Sequence, residues 1–404
     1  MDIEATKQVR EGKPTQSHKG RSSQTAGKRI REQVRATAGF EAQTAILRPS
    51  SPPAKEPEKP VTWSDTLRRN FHRIDKNGNG FLSKAEINQA LSDPAFTGAD
   101  AAAVATLHKL VSSLQKLSND EFGPENDGLT LSDLEAYEKG KGDQVAVESF
   151  YSTADAKIKG TKRELFPNGV PNLATLKQGP IGDCYFLAAL GSFISRDPTA
   201  LVRMIKENKQ DGKVVSYTVN FPGKLGSVTI SPPTDGEIAR YSYAGSDGLW
   251  LVVMEKAYAV ARSRVQEPDI QKEVGEGGQL ATGLKAFTDA KIDHDFLILT
   301  RKSTTVRKLD AAFGRGSGKE KRRLVTAAIM SANDYGLPKG HAYSVIGWDG
   351  TLLTIRNPWG RNPRPSKDKP KLNGVPGQDP YTTGVFQMTL DEFYKVFAEI
   401  AYEE

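Results

Sequence analysis

A single cysteine, Cys184, stands in a chain of 404 residues. That scarcity excludes an intramolecular disulfide framework and any structural zinc site built from several thiolates. No apolar run approaches the ~18–20 residues that cross a bilayer. The opening residues hold no apolar core, so neither a membrane span nor an ordinary secretory leader is expected. The length allows about two to three domains of ~100–200 residues and at least one sizeable core. The expected setting is cytoplasmic, or export without a conventional signal peptide, as for effectors injected into host cells.

Charge is as unevenly placed as cysteine is rare. The formal net charge is +7, of which residues 1–60 contribute +5, from 12 Lys/Arg and 7 Asp/Glu. That stretch is polar and closes on a proline-rich run from Pro49 to Pro60. It reads as a disordered basic arm with a semi-stiff linker. Aromatic residues do not interleave with its mixed charges, so nucleic acid is not an expected partner. The remaining +2 on the rest of the chain leaves the globular part nearly neutral.

Residues 61–145 read as a small all-α module. Leu67, Phe71 and Ile74 share one helix face, with Ser64 as the expected N-cap. The helix runs into Asp75-Lys76-Asn77-Gly78-Asn79-Gly80-Phe81-Leu82-Ser83-Lys84-Ala85-Glu86. This fits a twelve-residue EF-hand calcium loop. Asp75, Asn77, Asn79, the Phe81 carbonyl, Ser83 and a bidentate Glu86 supply the oxygens that a hard cation wants, and Gly80 permits the bend. Ca2+ is the expected cofactor, bound more weakly than by an all-aspartate loop because only two side-chain ligands are carboxylates. A helix from about Asp100 to Leu117 leads to a second, degenerate loop at Asn119 to Gly128. There, one alignment puts Leu134 where the bidentate glutamate belongs, and the other puts Pro124 at the first ligand position.

Gln178-Gly179-Pro180-Ile181-Gly182-Asp183-Cys184 puts the lone thiol at a glycine-broken turn before an apolar helix, Cys184 to about Ser195. A helix N-terminus favours thiolate through unpaired N–H groups and the positive dipole end. Those N–H groups can also hold an oxyanion, with the Gln178 amide as a second donor. Downstream, Gly340 to Trp348 alternates like a strand, Asp349-Gly350 marks a turn, and Thr351 to Gly360 reads as the return strand. A two-residue loop pairs Trp348 with Thr351 and sets His341 and Asn357 on opposite faces. A three-residue loop pairs Gly347 with Thr351 and sets His341 directly opposite Asn357. The chemistry needs the second register, in which Asn357 orients one imidazole nitrogen, the other faces Cys184, and Trp359 shields the bond.

Gln-Gly-x-x-Gly-Asp-Cys, Gly-His-Ala-Tyr-Ser-Val and Arg-Asn-Pro-Trp-Gly resemble the three catalytic signatures of the calpain cysteine proteases. Trp250 to Ala259, Gly275 to Gln279 and Gly384 to Phe393 are also similar, so the resemblance covers about 160–404. It implies an α+β fold, a papain-like core in two halves: a helical one (146–290) with Cys184 and a β-rich one (291–404) with His341 and Asn357. It implies Cys184 as nucleophile, His341 as base and acid, Asn357 as orienter and Gln178 as oxyanion donor. Tyr185 stands where calpains usually have Trp, which implies tuning. The EF-hand unit precedes the protease, and the lack of room for C-terminal accessory domains points to a bacterial relative. The expected activity is limited proteolysis of protein substrates, under calcium control. The competing expectation is a catalytically dead, calcium-responsive scaffold. Interception of the acyl-enzyme by an amine and the oligomeric state are left open. The basic run Lys319 to Arg323 is expected on the surface of the β half.

Overall fold

The computed structural model describes residues 61–118, 128–266, 268–315 and 322–404. The basic arm, the span 119–127 of the second loop, and Lys319 to Lys321 of the basic run lie outside the described residues.

The first helix, α1 (Trp63–Ile74), is capped by Thr62 rather than Ser64. Thr62 Oγ1 accepts the Asp65 N–H at 3.2 Å, and the Asp65 carboxylate returns to the Thr62 N–H at 3.2 Å. Ser64 is instead buried in the first turn. This reciprocal pair satisfies two N–H groups that a helix start leaves unpaired. Leu67, Phe71 and Ile74 face the core. A loop leads to β1 (Phe81–Ser83) and α2 (Lys84–Ser92), then α3 (Gly98–Leu114), β2 (Gly128–Thr130), α4 (Leu131–Glu138) and α5 (Gln144–Gly160). Strands β1 and β2 pair antiparallel with Leu82 opposite Leu129, joining the two loop regions by a short ladder.

Next come α6 (Cys184–Arg196), α7 (Pro198–Met204) and a three-stranded antiparallel sheet, β3 (Ile205–Gln210), β4 (Lys213–Asn220) and β5 (Ser227–Ile230). Four further helices follow, α8 (Asp235–Arg240), α9 (Trp250–Ser263), α10 (Ile270–Glu273) and α11 (Leu280–Leu284). The C-terminal part comprises β6 (Ile292–Phe296), α12 (Lys302–Ala312), β7 (Val325–Ile329), β8 (His341–Trp348), β9 (Leu352–Arg356), α13 (Pro380–Thr383), β10 (Val385–Thr389), α14 (Leu390–Val396) and β11 (Glu399–Glu403). Its antiparallel sheet runs β10-β9-β8-β7-β11-β6. The fold is thus mixed, helices plus antiparallel sheet.

The hairpin takes neither of the two expected registers. Trp348 pairs with Leu353 and Gly347 with Thr354; after a bulge at Ile346, Val345 pairs with Ile355 and Ser344 with Arg356. The connection is four residues long because the Asp349 carboxylate accepts the N–H groups of Thr351 and Leu352, each at 2.7 Å. Gly350 supplies the positive φ that this turn needs. Continued past the strand end, this register puts Asn357 beside Tyr343 rather than His341. Because the side-chain period is two, His341 remains on the same face as a diagonal neighbour.

Helix α6 is apolar on every side and buried from Tyr185 to Ile194, as a central helix must be. It lies directly on the large sheet. Ser344 Oγ donates to the Ala188 carbonyl at 2.7 Å, and the Val325 N–H donates to Ser192 Oγ at 3.0 Å. Arg322 braces the far end, donating to the Ser195 carbonyl at 2.8 Å and to the Ile346 carbonyl. This residue of the basic run is therefore a tie between helix and sheet. Gly191 makes the approach possible, since a Cβ there would meet Ser344 Oγ at 2.4 Å. Gly191→Ala is expected to lower unfolding stability by about 1–3 kcal/mol through overpacking. In a chemical-denaturation double-mutant cycle, adding Ser344→Ala should recover part of that loss. Simple additivity would show that the two groups do not meet.

Candidate active site

Cys184 is the first residue of α6 and is partly buried. Asp183, the N-cap, makes no side-chain cap bond, so the N–H groups of Cys184 and Tyr185 are not taken by it. The Asp183 carbonyl instead accepts from Phe186 at 2.9 Å and Leu187 at 3.1 Å, which starts the helix. His341 opens β8, 5% exposed, and Asn357, fully buried, follows β9.

His341 Nε2 and Asn357 Oδ1 are 2.9 Å apart. The roles in that contact follow from a relay of amides. Pro380 C=O can only accept, so Asn362 Nδ2 donates to it at 2.7 Å. Asn362 Oδ1 then accepts from Asn357 Nδ2 at 3.1 Å. Asn357 is thereby left with its oxygen toward His341 and toward the Trp359 N–H at 2.9 Å. A carbonyl oxygen accepts, so Nε2 carries the proton and Nδ1 keeps its lone pair. The Trp359 ring lies 4.8 Å from the imidazole centre and the Tyr343 ring 4.9 Å from it.

Helix-terminus arguments predict a low thiol pKa; here the opposite holds. Burial pushes the Cys184 thiol up, against a smaller lowering by a backbone hydrogen bond from Ala342, and the neighbouring Asp183 also raises it. Burial likewise pulls His341 down to about 4, with the Asn357 bond opposing. Desolvation outweighs the N-terminal N–H groups because it penalises both ions of a thiolate–imidazolium pair. Among the described residues no hydrogen bond joins thiol and ring, and both shifts favour the neutral forms.

Asp183 and Glu255 are buried together. Burial raises the Asp183 carboxyl well above its ordinary range, and the Glu255 charge adds to that. Burial raises Glu255 too, against hydrogen bonds from Ser242, whose N–H lies 2.6 Å from one carboxylate oxygen. Burial thus favours the neutral form of each carboxyl, which lessens the negative charge beside the thiol.

Gln178 lines the same cleft as Cys184, His341 and Trp359. Its amide nitrogen is turned away from an oxyanion position, donating to the Ile181 carbonyl at 2.7 Å and more weakly to Asp183 Oδ1 at 3.4 Å. A donor role for Gln178 therefore requires release of the Ile181 bond. Sequence reasoning missed Asn362, which sits in a loop without periodicity, and the Asp183–Glu255 pair, whose members are 72 positions apart in the chain.

In the loop at 75–86, Asp75 accepts from the N–H groups of Gly78 at 2.8 Å, Asn79 at 3.1 Å and Gly80 at 2.8 Å. Asn77 Oδ1 accepts from Asn79, and Asn79 Oδ1 from Phe81. Glu86 accepts from Lys76 at 2.9 Å and from Ser83 Oγ at 2.7 Å. Burial works to raise the Glu86 carboxyl, but bonds from Ser83, Lys76 and Asn77 hold it below its ordinary value. Gly80 takes φ +77°. The donors are all oxygens, which suits a hard cation. Among the described residues, however, no three His, Cys, Asp or Glu side chains gather to hold a metal.

Comparison with known proteins gives a family model, calpain family cysteine protease, that matches residues 155–402. Calpain clp-4 of Caenorhabditis elegans is 29% identical over 207 residues, 46% of this chain and 27% of that protein. Calpain-9 of Mus musculus is 25% identical over 242 residues, 55% of this chain and 34% of that protein. The calpain-1 catalytic subunit of Bos taurus is 27% identical over 248 residues, 56% and 33% respectively. The chain spans about a quarter to a third of the length of these relatives. The matched segment begins within α5, ends in β11 and contains Cys184, His341 and Asn357; on that match, the chain belongs to the calpain family of cysteine proteases.

Proposed function

We propose that the chain is a cysteine endopeptidase that cuts protein substrates through Cys184, His341 and Asn357. The single observation that carries this reading is the amide relay, which leaves His341 Nδ1 as a free base in the cleft that holds the only thiol. As the sulfur attacks the peptide carbonyl carbon, Nδ1 takes the thiol proton and the carbonyl π pair moves to oxygen. The Cys184 N–H and the Gln178 amide, once freed from Ile181, donate to that oxyanion. The tetrahedral adduct collapses as Nδ1–H protonates the leaving amine. Water then attacks the thioester with its proton passing to Nδ1, and collapse returns that proton to sulfur. Asn357 keeps Nε2–H oriented throughout.

Calcium is the proposed cofactor of the 75–86 loop. Asp75, Asn77, Asn79, the Phe81 carbonyl, Ser83 and Glu86 would hold it, and it would supply positive charge that gathers the loop oxygens. The path from that module to the cleft is short. Thr234 Oγ1 donates to the Leu91 carbonyl at 2.7 Å, the Gly98 N–H to Asp235 at 2.8 Å, and Lys109 to the Pro180 carbonyl at 3.2 Å. Pro180 belongs to the turn that presents Cys184, so loop rigidity can bias that turn.

Cys184→Ala is expected to abolish cleavage of an unfolded test protein, and Gln178→Ala to cut kcat about 10²-fold. Unchanged cleavage in Cys184→Ala would remove the enzymatic reading. Without substrate, alkylation of Cys184 should rise about tenfold per pH unit until above pH 9.0, the thiol's ordinary value. A plateau near neutral pH would instead show a preformed ion pair. Glu86→Gln should eliminate calcium binding in calorimetry together with any calcium dependence of proteolysis. An activity-against-calcium curve identical to wild type would exclude gating by this loop.

A further inference from the structure

The cleft, about 1300 Å³, is charged unequally. Lys157, Lys177, Lys339, Arg361 and Glu276 all line it. Lys157 is spent on the protein itself: its Nζ donates to the carbonyls of Tyr241 and Ala239, and burial lowers it to about 7. Lys177, Lys339 and Arg361 are exposed. Among the described residues none of the three is bridged to a carboxylate. Three cations with hydrated, uncompensated heads thus face one anion.

Their placement has a direction. The proton on His341 must reach the departing nitrogen, so whatever flanks His341 faces the leaving half of the substrate. Lys339 precedes His341 by two residues. Trp359, tilted beside the imidazole with ring centres 4.8 Å apart, leads through Gly360 to Arg361. The Lys177 stem lies against Gly360, where a Cβ would meet its Cγ at 2.9 Å. Glu276 pairs through its backbone with Gly182, in the turn that leads to Cys184. Among the described residues Glu276 forms no ion pair with any of the three cations.

We propose that Lys177, Lys339 and Arg361 make the cleft selective for substrates carrying anionic side chains, carboxylate or phosphate, on the C-terminal side of the bond cut. The proposal rests on the proteolytic reading and names the substrate class of that site. A one-sign cleft between low-dielectric walls concentrates field and discriminates by charge, an effect that salt weakens.

The test uses the full chain and internally quenched peptides that differ only after the scissile bond, carrying Glu, phosphoserine, Gln or Lys. At low salt kcat/KM should be about tenfold higher for Glu than for Gln, and about tenfold lower for Lys. The spread should collapse near 1 M salt, where screening acts within about 3 Å. The double variant Lys177→Glu, Arg361→Glu should reverse the Glu–Lys ranking. A phosphoserine rate above that of Glu would assign phosphate as the preferred anion; the reverse order would assign carboxylate. Equal rates across the four peptides in a protein that cuts the Gln peptide would overturn the proposal. Anisotropy with Cys184→Ala gives a second measurement independent of turnover. There, an acidic-over-basic ranking with no cleavage by wild type would overturn the proteolytic reading alone, and equal affinities would overturn the charge selectivity.

Discussion

Everything at the candidate site depends on how closely α6 lies on the central strands of the six-stranded sheet. Ala188 and Gly191 of the helix both meet Ser344 of β8. From that crossing, Cys184 is four residues up the helix, about 6 Å. His341 is three residues up the strand, about 10 Å. The crossing therefore decides whether thiol and imidazole arrive at the same end of the cleft. A larger residue at 191 would lift helix from sheet and separate the two groups without touching either. The Ser192 and Arg322 bonds pin the same helix to β7 and β8, so the position is over-determined.

The same burial that fixes geometry sets the charge state. A thiol and an imidazole taken out of water both favour their neutral forms, and the α6 N-terminus does not offset that here. The chain compensates by fixing the tautomer. With Nε2–H tied to Asn357 and that amide tied in turn to Asn362 and Pro380, the basic nitrogen is the one left to the cleft. A neutral pair with the correct tautomer needs only one proton transfer to become nucleophilic, and it avoids holding two buried ions in the resting state. The raised Asp183 carboxyl serves the same end, because a fully ionised Asp183 beside the thiol would oppose thiolate formation further.

Local chemistry was legible in the sequence wherever a residue's role depends on its immediate neighbours. The apolar run after Cys184 forms the buried helix, and the parity argument correctly puts His341 and Asn357 on one face. The register was not legible, because an Asx turn at Asp349 and a bulge at Ile346 change the count by amounts that alternation cannot reveal. The α1 cap moved from Ser64 to Thr62 for a similar reason: both residues can cap, and only Thr62 finds Asp65 three positions on. The thiol's pKa is not legible either, because a helix N-terminus is visible in sequence while the desolvation opposing it is not. Asn362 and the cationic rim are assembled from loops, where no periodicity advertises a partner.

The N-terminal module and the cleft are also less separable than composition suggests. Arg240, buried at the end of α8, donates to His108 Nδ1 of α3 at 3.0 Å. Burial, reinforced by Arg240 and Lys109, holds His108 neutral with its pKa lowered to about 3, which lets the ring accept that bond. The next residues, Tyr241 to Tyr243, carry the backbone against which the turn before Cys184 is built. The Gly179 N–H donates to Ser242 Oγ at 3.2 Å, and Lys177 and Tyr243 exchange backbone bonds at 2.7 and 3.1 Å. This chain of bonds links α3 through α8 to the segment that holds Lys177 and Gln178. The Lys109–Pro180 contact is a second link from α3 to the turn before Cys184, and α5, packed on α3, lines the cleft itself.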